Sequence, residues 1–150
     1  MAHSYTNLLY HIVYSTKNRT PWLTEPIRSR VHAYIGGGIR DEGGAALSIG
    51  GVSDHVHILA RLRQDKAISA VIGAIKANTT GWIHREFAQL ADFEWQNGYA
   101  AFTVSKSQEG KVKQYIEGQE EHHREKRYQD ELIELLDAHG IEYNLRYLWG

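Results

Sequence analysis

Residues 53–62, SDHVHILARL, decide the fold, because they carry the short apolar run that is typical of a buried central strand. Side chains alternate across a strand, so His55 and His57 share one face, with α-carbons about 6.6 Å apart, while Val56 faces the opposite layer. Two imidazoles at this spacing can converge on one ion. The alternative is a pair of hydrogen-bonded histidines on a half-exposed sheet, since a metal site needs more than two ligands.

The segments around this strand alternate between strand and helix patterns. Strands are predicted at 4–16, 45–53, 55–62 and 98–107 from β-branched and aromatic residues, and helices at 25–43 and 66–91 from helical spacing of apolar residues. This order is that of the α+β ferredoxin-like, split βαβ fold, with an antiparallel sheet and helices on one face. Two extra C-terminal helices are predicted at 108–123 and 128–140. The triple glycine Gly36–Gly38 is poor helix material and predicts that the first helix ends or bends there.

Length and composition restrict the class of protein. The chain has 150 residues, which predicts a single domain over 1–150. It contains no cysteine, which excludes disulfides, thiolate metal sites and a cysteine nucleophile. The first twenty residues do not resemble a signal peptide, and no apolar run approaches the roughly 18 residues of a spanning helix. We therefore expect a soluble, cytoplasmic protein with no membrane partner.

A second motif offers further groups to an ion held by the histidine pair. In KQYIEGQEEHH, residues 113–123, Tyr115 and Gln119 stand four apart and so share one helix face. Gln119 would supply an amide oxygen and Tyr115 a hydroxyl nucleophile; otherwise Tyr115 packs on the sheet and Gln119 is solvated. Two imidazoles and a neutral amide leave the charge of a divalent cation unneutralised. Such a set suits Mg²⁺ or Mn²⁺ and an anionic phosphodiester substrate.

Other uses of the histidines fit less well. A cupin would need a glutamate a few residues after His57, and the sequence has none until beyond Lys66. A two-histidine phosphodiesterase would need two His-x-Ser/Thr motifs, which are absent. His122 and His123 are adjacent on a helix and point in different directions, so we expect that both cannot join one site and that they are exposed near the helix end. His11 is either a core histidine or a floor residue of the site.

The charge is distributed unevenly along the chain. The net charge is −1, but residues 1–113 hold 13 Lys and Arg against 9 Asp and Glu, whereas residues 114–150 hold 4 against 9. A mildly basic body thus carries an acidic C-terminal end. Contacts to nucleic acid are predicted from the basic residues at strand ends and around the proposed site. These residues are Lys17, Arg19, Arg61, Arg63, Lys106, Lys111 and Lys113.

Three motifs in order, DHVHIL, GYAAFTVS and QYIEGQEEHH, make the sequence resemble the small single-tyrosine transposases of the HUH nuclease superfamily, which move insertion sequences as single-stranded DNA. The resemblance covers nearly the whole chain. It implies that His55, His57 and Gln119 hold the divalent metal. It also implies that Tyr115 is the nucleophile that becomes joined to a DNA 5′ phosphate.

The resemblance further implies partners. These are single-stranded DNA with hairpin ends and a second copy of the chain, in a homodimer whose tyrosine helix acts in trans through a mobile connection at 105–113. The predicted function is a metal-dependent, site-specific single-stranded DNA endonuclease and strand transferase with a 5′ phosphotyrosine intermediate. The alternative is a catalytically inactive module of the same fold that binds hairpin DNA or RNA. A replication initiator or relaxase would usually carry a further domain, for which 150 residues leave no room.

Overall fold

A four-stranded antiparallel sheet forms the centre of the structure, a computed structural model that describes residues 3–123 and 126–149. The strands are β1 (Leu8–Ser15), β2 (Ala45–Gly51), β3 (His55–Leu62) and β4 (Ala100–Val104), and their spatial order is β2-β3-β1-β4. The two central strands, β1 and β3, pair along their whole length, with Leu8 opposite Leu62 and Ser15 opposite His55. This order confirms the predicted ferredoxin-like topology.

Five α-helices lie in the described part of the chain. They are α1 (Ile27–Asp41), α2 (Ile68–Glu86), α3 (Glu109–Glu117), α4 (Gln119–His122) and α5 (Tyr128–Ala138). Helices α1 and α2 cover the sheet face that carries Val56, Ile58 and Ala60, and together they bury the main apolar core. The C-terminal helices are the predicted addition to this arrangement. No helix among the described residues has the length and apolar character needed to cross a membrane.

Helix α1 runs through the triple glycine Gly36–Gly38, so the prediction that the helix could end there is wrong. Val31, Ile35 and Ile39 are fully buried on one side of this helix. Their packing outweighs the propensity cost of glycine, which is about 1 kcal/mol per residue relative to alanine. Tertiary contacts therefore decide where this helix ends.

The second face of the sheet carries histidines and is covered by the C-terminal helices. Val13 on β1 and Phe102 on β4 pack with apolar residues of α5 in a smaller cluster. His11, His55 and His57 are at most 4% exposed and lie on this same face, because side chains alternate along β1 and β3. A layer of buried imidazoles thus lies between the sheet and the C-terminal helices.

Candidate active site

Gly50 on β2 allows helix α3 to lie directly on the sheet. A Cβ atom at Gly50 would be 2.2 Å from the backbone carbonyl oxygen of Ile116. Ile116 is fully buried and anchors α3 at this point. The ring of the preceding residue, Tyr115, lies 5.9 Å from that of His11 and 5.6 Å from that of His57. The glycine therefore sets how closely the tyrosine helix approaches the histidine strand.

The single helix predicted at 108–123 is broken at Gly118, where α3 ends and α4 begins. Tyr115 and Gln119 nevertheless both face the histidines. Gln119 is 1% exposed, and its Oε1 atom lies 3.1 Å from Nε2 of His55. Residues 106–108 form a short 3₁₀ helix that leads into α3. The structure thus brings the predicted tyrosine, glutamine and histidine pair together within one chain.

A glutamate from α5 that was not among the predicted site residues lies at the centre of this cluster. Oε1 of Glu131 is 2.9 Å from Nε2 of His57 and 3.4 Å from Nε2 of His55. Its Oε2 atom accepts hydrogen bonds from Nε2 of Gln119, at 3.0 Å, and from the hydroxyl of Tyr115. The residue is 1% exposed. One buried carboxylate therefore contacts every predicted metal ligand and the predicted nucleophile.

The sequence of α5 contains a signal for this residue. Tyr128, Glu131, Leu132 and Leu136 are buried and share one face of the helix, so a glutamate interrupts an apolar face. A carboxylate on a buried face needs charged or hydrogen-bonding partners. The pattern therefore marks Glu131 as unusual, although it does not identify those partners.

His122 and His123 both reach the site, so the prediction that they cannot join one site is wrong. Nε2 of His123 is 3.0 Å from Oε1 of Glu131, and Nε2 of His122 is 3.3 Å from Oε2. The His123 side chain is 7% exposed, and that of His122 is 31% exposed. Adjacent helical residues point apart, but a carboxylate presents two oxygens, and each histidine approaches a different one. The expectation that both are exposed is therefore wrong for His123.

His11 is the floor residue that the sequence left undecided. Its Nε2 atom lies 2.7 Å from Nδ1 of His57. Burial and the neighbouring His57 lower the pKa of His11 to about 3. Burial likewise lowers the pKa of His57 to about 4, although Glu131 opposes this effect. Both imidazoles are therefore neutral near pH 7.

The remaining groups of the cluster have shifted pKa values with different causes. Burial lowers the pKa of His55, but hydrogen bonds to Asp54 and Glu131 outweigh it and raise the pKa to about 9. Burial raises the pKa of Glu131, but the three histidine side chains whose Nε2 atoms face it, His123, His55 and His57, outweigh burial and hold this pKa well below the usual range. Burial and the hydrogen bond to Glu131 raise the pKa of Tyr115. The cluster thus places an ionised carboxylate beside a protonated phenol.

The predicted nucleic-acid residues fall at different distances from the site. Lys111 lines a cavity of about 540 Å³ together with His11 and Tyr115. Arg19 lines a groove of about 820 Å³ on the other side, with His123 and Asp54. The structure therefore places one predicted cation on each side of the cluster.

The other predicted cations do not line these two openings. Arg61 follows His55 by six residues along β3, or about 20 Å, and Arg63 is paired with Asp65. Lys17 and Lys106 are near carboxylates, and Lys113 is exposed on α3. Arg61 and Arg63 therefore do not cluster around the site.

The donor set fits a metal ion. Ligand atoms of His55, His57, His123 and Glu131 all lie within 4.8 Å of one another. Imidazole nitrogens and a carboxylate oxygen at such distances can surround one divalent cation. The amide oxygen of Gln119 lies beside them. The predicted metal site is therefore chemically consistent with the residues present, and the structure adds two candidate ligands to it.

Comparisons with known proteins identify the family. Among solved structures, the chain is similar to a candidate transposase from Deinococcus radiodurans, with 22% identity, a TM-score of 0.65 and coverage of 79% of this chain and 96% of that one. It is also similar to a REP-associated tyrosine transposase bound to a REP hairpin, with 17% identity, a TM-score of 0.57 and coverage of 77% and 68%. No curated protein matches significantly. The family model described as "Transposase IS200 like" matches residues 4–119, and the chain therefore belongs to the IS200-like transposase family.

Proposed function

We propose that this DNA transposase is a metal-dependent, site-specific single-stranded DNA endonuclease and strand transferase that forms a 5′ phosphotyrosine intermediate. One observation carries the proposal: in a chain of a transposase family, the hydroxyl of Tyr115 lies in a buried cluster with the histidine pair and Gln119. A nucleophile beside a set of metal ligands is the arrangement that phosphodiester cleavage requires.

Each residue of the cluster has a role in this reaction. His55, His57 and Gln119 would hold the divalent metal, which when bound polarises the scissile phosphate. The Tyr115 hydroxyl passes its proton to the Glu131 carboxylate that accepts its hydrogen bond, and its oxygen attacks phosphorus. An O–P bond to Tyr115 forms, the bond between phosphorus and the DNA 3′ oxygen breaks, and this 3′ oxygen leaves and takes up a proton. A phenolate, with a free pKa near 10, leaves more easily than an aliphatic alkoxide. A DNA 3′ hydroxyl can therefore displace Tyr115 in the reverse step, and strands are rejoined without external energy.

Two openings beside the cluster support a single-stranded DNA substrate. The cavity next to Tyr115 carries Lys111, and the groove on the other side carries Arg19, Lys126 and Arg127. Cationic side chains in such openings attract the phosphate backbone without reading its sequence. The REP-associated tyrosine transposase is described as bound to a REP hairpin. We include hairpin DNA among the partners of this chain on that basis.

The homodimer with Tyr115 acting in trans stays a prediction. In the single chain, Tyr115 contacts Glu131 and lies beside His57 of the same chain. Mixing a Tyr115→Phe variant with a His57→Ala variant separates the two cases. Recovered activity in the mixture requires a site shared between two chains, whereas an inactive mixture means that each chain uses its own tyrosine.

The reaction is tested by covalent attachment. Labelled single-stranded oligonucleotides from the DNA that flanks the gene are incubated with protein and Mn²⁺ or Mg²⁺, and adducts are resolved on a denaturing gel. The wild-type protein and the control Tyr5→Phe, at a side chain 93% exposed, should form an adduct that requires metal. Tyr115→Phe should form none while it still binds the hairpin.

Two outcomes would contradict the proposal. Adduct formation by Tyr115→Phe would exclude this residue as the nucleophile. A hairpin-specific mobility shift by the wild-type protein, with no adduct in either metal, would favour the alternative of an inactive binding module.

A further inference from the structure

Each of the three histidines that approach Oε1 of Glu131 has an inner ring nitrogen, Nε2, which faces this oxygen, and an outer ring nitrogen, Nδ1. The outer nitrogen of His55 donates a hydrogen bond to Asp54. Nδ1 lies 2.7 Å from Oδ1 of Asp54, and a carboxylate oxygen accepts, so Nδ1 carries the proton. In the neutral imidazole, the inner nitrogen Nε2 then carries no proton and presents a lone pair. It lies 3.4 Å from Oε1 of Glu131 and 3.1 Å from Oε1 of Gln119, and both of these oxygens also accept. Lone pairs that face each other in a buried site require a positive group between them, which is a second ring proton in the metal-free chain or a metal ion that replaces this proton.

His123 and His57 repeat this arrangement. Nδ1 of His123 lies 2.5 Å from the backbone carbonyl oxygen of Lys126, to which it donates, so its Nε2 is free to face Glu131. Nδ1 of His57 can donate a hydrogen bond to Nε2 of His11, 2.7 Å away. Nε2 of His57 then carries no proton and presents a lone pair to Glu131. Metal-bound histidines typically donate their outer N–H to a carboxylate, a carbonyl or another acceptor in this way. Each of the three imidazoles therefore has an acceptor behind it.

The inner nitrogens converge on one oxygen. The Nε2 atoms of His57, His123 and His55 lie 2.9, 3.0 and 3.4 Å from Oε1 of Glu131. An oxygen of a carboxylate has about two lone-pair sites, so three hydrogen bonds would exceed its capacity. Ligands about 2.1 Å from an ion are roughly 3.0 Å apart at a right angle and roughly 3.4 Å apart at a tetrahedral angle. The observed separations match those between neighbouring ligands of one metal ion.

We propose that His123 and Glu131 are metal ligands together with His55 and His57, so that the centre is a three-histidine, one-glutamate site. The proposal rests on the proposed function and deepens it. Both added ligands lie beyond residue 119, where the family match ends. Oε1 of Glu131 would bind the ion while Oε2 accepts the hydrogen bond of Tyr115, so one carboxylate connects the ion to the nucleophile.

This donor set narrows the choice of metal. Imidazole nitrogens suit transition-metal ions, whereas Mg²⁺ prefers oxygen ligands and retains several waters. With three nitrogens and a single carboxylate, the site favours Mn²⁺ or another transition-metal ion over Mg²⁺. The carboxylate also neutralises one of the two positive charges, which leaves one charge for a phosphodiester.

The experiment measures binding of Mn²⁺ alone to the full chain. The electron paramagnetic resonance signal of free Mn²⁺ gives the affinity. Modulation of the spin echo of bound Mn²⁺ by nearby nitrogen nuclei reports its histidine ligands. Glu131→Gln and His123→Asn should each weaken binding by at least about 100-fold, beyond the 10- to 100-fold typical of outer partners. His123→Asn should also reduce the nitrogen modulation. Asp130→Asn, an exposed carboxylate one residue before Glu131, is the matched control and should bind like the wild type. Mg²⁺ should compete weakly with Mn²⁺.

The outcomes separate this proposal from the proposed function. If Glu131→Gln and His123→Asn bind Mn²⁺ as tightly as the wild type while His57→Ala does not, the histidine pair holds the metal. The assignment of His123 and Glu131 as metal ligands is then wrong. Tighter binding by Glu131→Gln would mean that the carboxylate occupies the place of a ligand and blocks it. A wild-type protein that binds no Mn²⁺ would overturn both proposals. Thermal melting without metal checks that each variant is folded, and His123→Asn provides a reading independent of Glu131→Gln.

Discussion

Replacement of Gly50 by alanine should move the tyrosine helix away from the histidine strand without altering a residue of the site. The new Cβ atom would lie 2.2 Å from the carbonyl oxygen of Ile116 and 3.0 Å from its Cγ2 atom. Cβ atoms in real structures essentially never approach another heavy atom within 3.0 Å. The obstacle is backbone, which cannot rotate away as the end of a side chain can. Helix α3 must therefore shift by roughly 1 Å, as in an overpacked core.

This shift has two measurable consequences. Overpacking of this kind lowers the free energy of unfolding by about 1–3 kcal/mol. Tyr115 precedes Ile116 and moves with it, whereas His55 and His57 remain on β3. A misplacement of about 1 Å between reacting groups lowers a rate by roughly 100-fold. The rate of covalent adduct formation should therefore fall by about two orders of magnitude, while the far side of the sheet is unaffected.

Single-turnover adduct formation and thermal unfolding of Gly50→Ala test the prediction. The matched control is Gly110→Ala, in the tyrosine helix itself, where an added Cβ would have no neighbour within 4 Å. This control should keep the wild-type rate and gain up to about 1 kcal/mol of stability from its higher helix propensity. A Gly50→Ala protein with the wild-type rate and melting temperature would refute the reasoning that Gly50 sets the position of α3.

Two further predictions concern charge. Burial and the charge of Arg28 lower the pKa of His32 from 6.5 to about 4, so its contribution to stability is present above pH 6.5 and is lost as the pH falls toward 4. Urea unfolding measures the free energy of unfolding at pH 7 and at pH 4.5. Between these pH values it should fall by roughly 2 kcal/mol less in His32→Gln than in the wild type. An unchanged pH dependence would contradict this. Lys111→Ala should weaken binding of single-stranded DNA equally across sequences and reduce the salt slope by about 0.7, since one phosphate contact is lost. Fluorescence anisotropy at several salt concentrations measures this slope. Lys66→Ala, at a lysine paired with Glu42, is the control, and an equal effect in both variants would place the DNA elsewhere.

The order of elements was predictable because local periodicity reports which residues are buried. The alternation in SDHVHILARL places Val56 in the main core and His55 and His57 on the opposite face, as the structure confirms. Helix propensity did not predict the course of α1 through Gly36–Gly38, because propensity is a weak signal and the packing of α1 overrides it. The break between α3 and α4 at Gly118 was likewise not predicted from helical spacing.

The sequence by itself determined the histidine pair, Tyr115 and Gln119 as candidates, because residues two apart on a strand, or four apart in a helical pattern, share one face. Tyr115 and Gln119 face the histidines even though α3 ends between them at Gly118. Only the tertiary structure decided that Glu131 completes the cluster. Glu131 is 74 residues from His57 along the chain, and their contact depends on how α5 docks on the second face of the sheet. The hydrophobic periodicity of a helix indicates which of its faces is buried, but it does not indicate which residues that face packs against. The partners of a buried charge are therefore set by the packing of distant elements.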